Sequence, residues 1–315
     1  MSALEIHQVT IRRRVSVCGR GLHTGAIVKL TLIPAEPDYG IRFCRIDLPG
    51  KPVIPASCDY VIDTSLATTL GLNGARISTV EHLLAVIRGL GIDNIHVNVD
   101  GPEIPILDGS AAPFVEIIQS VGLQRQLAVK KLVRVEIPVS ISEGDAFVRV
   151  WPSERPLISY TIEYPHPLIG KQCFSSEIEP NVFIHEVAPA RTFGFLHEVR
   201  TLQRNGRALG GSLENALVFD DQGVVNPEGM RYEDECVRHK ILDLMGDMAL
   251  CPFPLIGRFE AHKAGHRLHL KLMKTIARYA EAWLVPAIAC PVVLSSRFFA
   301  DFGKHSIGLT NHLST

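Results

Sequence analysis

Twice along this chain, short β-branched segments cut by Gly or Pro give way to helix-like stretches. That ordering constrains the fold strongly, because strands grouped ahead of helices build α+β layers, not an alternating parallel sheet. In the first half the segments are "VSVCG", "IVKLTLIPA" and "IRFCRID". "ISTVEHLLAVIRGLG" and "DGSAAPFVEIIQSVG" then read as helices, with the strand "NIHVNVD" between them. Ser78 with Glu81 three residues later fits a capping box, and Gly122 fits a helix stop. In the second half "LAVKKLVRVEIPVSIS", "EGDAFVRVWP" and "LISYTIEYP" precede helices expected at about 198–205, 230–250 and 266–283. A chain of 315 residues is long for one core. The expected organisation is an α+β domain over 1–126, a second over 127–285 and a tail over 286–315.

The remaining bulk properties exclude more than they assign. A net charge of −1 carries no electrostatic footprint for nucleic acid. The cluster Arg12–Arg14 reads as a solvated strand end. Seven scattered cysteines without a C-x-x-C pair suit a reduced, cytoplasmic chain. "MSALEIHQVTIRRR" has no apolar signal region, and "LVPAIACPVVL" is short and interrupted by two prolines, so no spanning segment is expected.

The stretch "ECVRHKILDLMGD" places His239, Asp243 and Asp247 at steps of four, which keeps them in one helix stripe. Val237, Ile241, Leu244 and Met248 form an opposing apolar face. A His and an Asp four apart can bind one metal ion, although a solvated polar face is the commoner meaning of that spacing. "STVEHLLA" offers His82 as a third ligand and Glu81 as a general base, with the capping box as the competing role for Glu81. "GRGLHTG" lacks the ending of a phosphate loop and reads as a hairpin turn containing His23. His266 in "HKAGHRLHLKL" stands near a helix start. Thr192 in "PARTFGFL" stands among aromatics on a strand edge.

Together "GRGLHTG", "ISTVEHLLA", "GIDNIHVNVDGPEIPILDGSAAPF", "ARTFGF", "LGGSLENALV", "RYEDECVRHKILDLMGD" and "KAGHRLHLKL" resemble one family, the UDP-3-O-acyl-N-acetylglucosamine deacetylases of lipid A biosynthesis. The resemblance covers roughly residues 8–275. It implies a zinc amidohydrolase with Zn2+ on His82, His239 and Asp243. It assigns Glu81 as base, His266 as a charged acid held by Asp247, Thr192 at the oxyanion, and Lys240 at the substrate or the developing charge. It implies two α+β domains, each a mainly antiparallel sheet with helices on one face, with the helices of the two domains packed together in a sandwich. The partner is a nucleotide-sugar lipid precursor. Phe193, Phe195 and Leu213 are expected on the wall of an apolar passage, with Ala216 nearby. Tyr164 is expected under the uracil, and His23 at the diphosphate or sugar. The chain is expected to be a monomer making at most transient contact with a membrane surface. Ser65, Ala67 and Leu213 depart from the bulkier or aromatic residues usual in the family. The competing readings are a zinc hydrolase for another N-acylated sugar, and a binding protein on the same scaffold.

Overall fold

A computed structural model describes residues 6–289. Two five-stranded sheets carry the fold, and they share one strand order. The first runs Val15–Arg20, Ile27–Pro34, Ile95–Val99, Ile41–Arg45, Val53–Pro55. The second runs Val139–Glu143, Ala146–Trp151, Arg258–His262, Leu157–Tyr164, Gly170–Glu177. In each, the last strand to arrive enters the centre, parallel to one neighbour and antiparallel to the other. A parallel pair requires a crossover, and a helix supplies it in both halves.

The helices are α1 (Glu81–Gly89), α2 (Ala112–Val121), the single turn α3 (Pro180–Val182), α4 (Leu196–Arg204), α5 (Glu235–Met248) and α6 (His266–Ala277). α1 and α2 follow the pattern of α5 and α6 about the central strand of each sheet. α5 and α6 pack on the second sheet, α2 touches the first, and α1 lies along α5. The result is sheet, helices, helices, sheet, the sandwich that the resemblance implied. Each sheet buries alternate residues toward the helices, such as Val28, Leu30 and Leu32 in one and Ile158, Tyr160 and Ile162 in the other.

Each half also carries an insert ahead of its crossover helix. The first is a three-stranded sheet, Val61–Asp63, Thr69–Leu72 and Ala75–Ile77. The second holds α3, α4 and the parallel pair Phe193–Phe195 with Leu217–Phe219. Leu123–Val129 returns to pair with His7–Ile11, so the expected division at 126/127 falls inside a strand. Of the expected tail, residues 290–315 lie outside the described residues.

Two helix limits and the capping box are corrected. α5 begins at Glu235, not near 230, and α6 ends at Ala277, not near 283. The capping box is absent: no side chain caps α1, and the Ser78 hydroxyl is hydrogen-bonded to Thr69 at 2.8 Å. Of the two readings open for the stripe on α5, the solvated face is excluded, because His239, Asp243 and Asp247 are as buried as the apolar face opposite.

Gly246 explains how two helices buried on all sides meet. A Cβ there would overlap the carbonyl of Glu81. That neighbour is backbone and cannot rotate away. Gly246→Ala should lower the free energy of unfolding by ~1–3 kcal/mol or more, the usual cost of overpacking. Urea denaturation measures it.

Candidate active site

The crossing of α1 and α5 brings the predicted ligands together. His82, His239 and Asp243 are buried, with their ligand atoms within 4.8 Å of one another. His239 Nε2 lies 3.3 Å and His82 Nε2 3.9 Å from Asp243 Oδ1. His239 Nδ1 is hydrogen-bonded to the Ala190 carbonyl at 3.0 Å, so it carries the proton and leaves a lone pair on Nε2. Burial, and then the second imidazole, push the His82 pKa down to about 3; burial also lowers that of His239. Burial opposes the charge of Asp243, but Lys240 and the histidines around it hold the carboxyl well below its ordinary value. Neutral imidazoles and a carboxylate thus turn lone pairs toward one point, which is repulsive unless a cation lies between them. Zinc bonds of about 2.0–2.2 Å imply ligand separations near ~3.3 Å in a tetrahedron, so the donor set fits that ion with a small closure of His82.

Asp247 belongs to a neighbouring cluster. Its Oδ2 accepts from His266 Nδ1 at 2.7 Å and His269 Nδ1 at 2.8 Å, and its Oδ1 accepts from the Thr68 hydroxyl at 2.6 Å. Burial opposes its charge, but His266 outweighs this and the carboxyl falls to about 2. Burial likewise works against a charged His266, and the Asp247 carboxylate reverses that, raising the imidazole to about 10. His266 Nε2 faces Glu81 Oε1 at 3.9 Å. Burial raises the Glu81 carboxyl to about 7, against the pull of His266.

A cavity of about 460 Å³ opens over these groups, with Glu81, His82, Thr192, His239, Asp243 and His266 at its floor. Leu22, Ile106, Phe193, Leu202, Leu213 and Val218 form the apolar part of its lining, the apolar arm. Buried Arg191 clamps the segment before this arm to Glu235 at the start of α5, through Nε at 2.8 Å and its backbone N–H at 3.0 Å. The backbone of Thr192 is bonded to Gly109 and Leu217, and its residue lines the cavity. Lys240 donates to Asp243 Oδ2 at 2.8 Å and lies 5.7 Å from the Phe193 ring centre. Burial disfavours its charge, but Asp243 outweighs this and raises its pKa.

His23 sits in the hairpin turn as expected, buried and lining the cavity. The fully buried carboxylate of Glu103 fixes that turn. It accepts the N–H groups of His23 and Thr24 at 2.8 Å each and the Thr24 hydroxyl at 2.6 Å. It also accepts the hydroxyl of Thr79 at 3.0 Å, a residue held at φ 57° just before α1. Gly21 is required here, since a Cβ would strike the Glu103 carboxylate.

Phe195, expected on the wall, and Tyr164, expected under the uracil, do not line this cavity. Phe195 packs with His166, Phe219 and Tyr164 at ring separations of 5.9, 6.1 and 5.7 Å. Tyr164 also stands edge-on to Phe193 at 5.6 Å. These rings are taken up by their own aromatic cluster. Sequence reading missed Thr68, Glu103 and His269. Only His269 carried a signal, three residues past His266 on one helix face.

A cation-ready triad beside a facing carboxylate and imidazole, with an apolar lining above, is the arrangement that suits a metal-assisted hydrolase. The model of the UDP-3-O-acyl N-acetylglycosamine deacetylase family matches residues 8–278, and the chain belongs to that family. It is 48% identical over 282 residues to the UDP-3-O-acyl-N-acetylglucosamine deacetylase of Myxococcus xanthus (strain DK1622), covering 89% of this chain and 90% of that one. It is 47% identical over 279 residues to the enzyme of the same name from Oleidesulfovibrio alaskensis (strain ATCC BAA-1058 / DSM 17464 / G20), covering 89% and 92%. Among the described residues, no helix is long and apolar enough to cross a membrane.

Proposed function

We propose that this protein hydrolyses the acetamide of UDP-3-O-acyl-N-acetylglucosamine, releasing acetate and a free amine in the committed step of lipid A biosynthesis. The observation that carries this reading is the buried triad lying beside Glu81 and His266 at the floor of the cavity, in a chain of that family. His82, His239 and Asp243 would hold Zn2+, which when bound supplies Lewis-acid chemistry that acidifies water and polarises a carbonyl. Glu81 takes the proton of the attacking water. The Thr192 hydroxyl donates to the developing oxyanion, and Lys240 adds positive charge beside it. His266, kept protonated by Asp247, delivers its Nε2 proton to the leaving nitrogen. His23 contacts the sugar or diphosphate, and Phe193 and Leu213 contact the acyl chain.

The division into 1–126, 127–285 and 286–315 goes with this reading, because each five-stranded sheet draws its strands from one side of 126/127. So do a cytoplasmic monomer and transient contact with the membrane surface. Mass spectrometry of the acylated nucleotide sugar after incubation with the zinc-loaded protein tests the activity: loss of one acetyl group is expected, and an unchanged substrate refutes it.

An inhibitor prediction follows from the apolar lining. A hydroxamate ligates zinc through its oxygens, and a long apolar tail would fill the arm past Phe193 and Leu202. Each Å² of apolar surface so buried contributes ~25 cal/mol, so ~100 Å² is worth nearly a hundred-fold in affinity. Inhibition constants for the tailed compound and for acetohydroxamate should differ by at least that factor. Equal potency would remove the acyl arm from the proposal.

A further inference from the structure

Thr68 lies in the insert of the first half, just before the strand Thr69–Leu72, and is 1% exposed. Its backbone N–H donates to Glu81 Oε2 at 3.0 Å, and its hydroxyl donates to Asp247 Oδ1 at 2.6 Å. The hydroxyl oxygen also stands 3.3 Å from His266 Nδ1. Its carbonyl accepts the N–H of Val80, at the entry to α1, at 3.3 Å. One small residue therefore touches the carboxylate that takes a proton, the carboxylate behind the imidazole that gives one, that imidazole, and the start of the helix carrying the base.

The proton arrangement is tightly restricted. An ionised Asp247 only accepts, and a hydroxyl has one proton to give. With the Thr68 proton on Oδ1, Oδ2 remains for the N–H groups of His266 and His269. The His266 ring is then held by Nδ1, with Nε2 turned toward Glu81 and the cavity.

We propose that Thr68 is a positioning residue of the deacetylation reaction: it holds the proton acceptor on α1 and the proton donor on α6 in mutual register across the two halves of the molecule. The inference rests on the deacetylase reading above. Thr68 touches neither substrate nor metal in this role, so it should act on turnover more than on binding.

The test compares Thr68→Val, which keeps the shape and the N–H but loses the hydroxyl, with Thr68→Ser, which keeps both hydrogen bonds. In the zinc-loaded enzyme, Thr68→Val should lower kcat by at least about ten-fold, as a small misplacement of reacting groups does. KM and zinc content should stay near wild type, and Thr68→Ser should recover most of kcat. A second readout needs no turnover: exchange of the Thr68 amide proton should be slow in the wild type and faster in Glu81→Ala, which removes its acceptor. The proposal is overturned by wild-type kcat in Thr68→Val, by a Thr68→Ser enzyme as slow as Thr68→Val, or by loss of zinc in step with activity. It is equally overturned if the Thr68 amide exchanges alike with and without the Glu81 carboxylate. An inactive wild type would refute the deacetylase reading itself, and the exchange measurement would still decide whether Thr68 is tied to Glu81.

Discussion

His82→Ala, His239→Ala and Asp243→Ala should each lose bound zinc and activity together, whereas Asp247→Ala should keep its zinc and lose turnover. The first three converge on one point, with the Asp243 oxygen 3.3 and 3.9 Å from the two imidazoles. Removing any one leaves a two-ligand site. The loss in affinity should exceed the ~10–100-fold that follows removal of an outer partner. Asp247 is one turn further along α5, and its oxygens are taken by Thr68, His266 and His269. Its removal leaves the triad intact while His266 loses the charge that keeps it protonated. Metal analysis of the four purified variants, paired with their rates, separates the roles. If Asp247→Ala loses zinc as badly as Asp243→Ala, the two carboxylates are not divided in this way.

Glu81→Ala should cost ~10²–10⁴-fold in kcat/KM with zinc retained, the usual worth of one positioned base, and His266→Ala a comparable factor. The two residues also set opposite limbs of the pH profile. As the proposed base, Glu81 works deprotonated, so activity should be present above its pKa and lost as pH falls through it. Burial places that pKa at about 7 in the metal-free protein, and a cation on the neighbouring ligands would move the limb lower. As the proposed acid, His266 works protonated, so activity should be present below its pKa and lost as pH rises through about 10. The profile is therefore bell-shaped, and His266→Ala should flatten its alkaline side. An unchanged alkaline limb in that variant would assign the titration elsewhere and leave His266 as a fixed charge at most. Near-normal activity in Glu81→Ala would require another base.

Helical periodicity made part of this site legible. His239, Asp243 and Asp247 share a stripe because a helix returns every 3.6 residues, and that holds whether the stripe is wet or buried. Its burial was not legible, since burial depends on α1 arriving from a segment more than a hundred residues away. The same limit explains the capping box. Ser78 and Glu81 have the right spacing, but Ser78 is engaged with Thr69 and the Glu81 carboxylate is turned inward to the Thr68 N–H. Local spacing yields there to tertiary contact. His82 could be offered as a third ligand from its residue type, but no spacing ties it to α5, and the family resemblance alone set it beside His239 and Asp243. Thr68 and Glu103 sit in irregular chain, where no period marks which way a side chain faces. Phe195 and Tyr164 show the converse limit: aromatic character near a site does not tell which surface a ring faces, and here the two rings pack on each other at 5.7 Å.

The repeated strand order leaves the molecule with two places where chain has been added to a common frame, and the two additions do different work. The insert of the first half reaches the proton-handling groups through Thr68, while that of the second supplies Phe193, Leu202, Leu213 and Val218 to the apolar arm. Residues on α4 and its flanking strands can therefore be exchanged to suit a longer or shorter acyl chain while the frame that aligns α1 with α5 is left alone. On the proposed function, redesign of ligand preference in this chain centres on about residues 193–218, with Leu22 and Ile106 the contributions to the arm from the first half, and the chemistry need not be rebuilt each time.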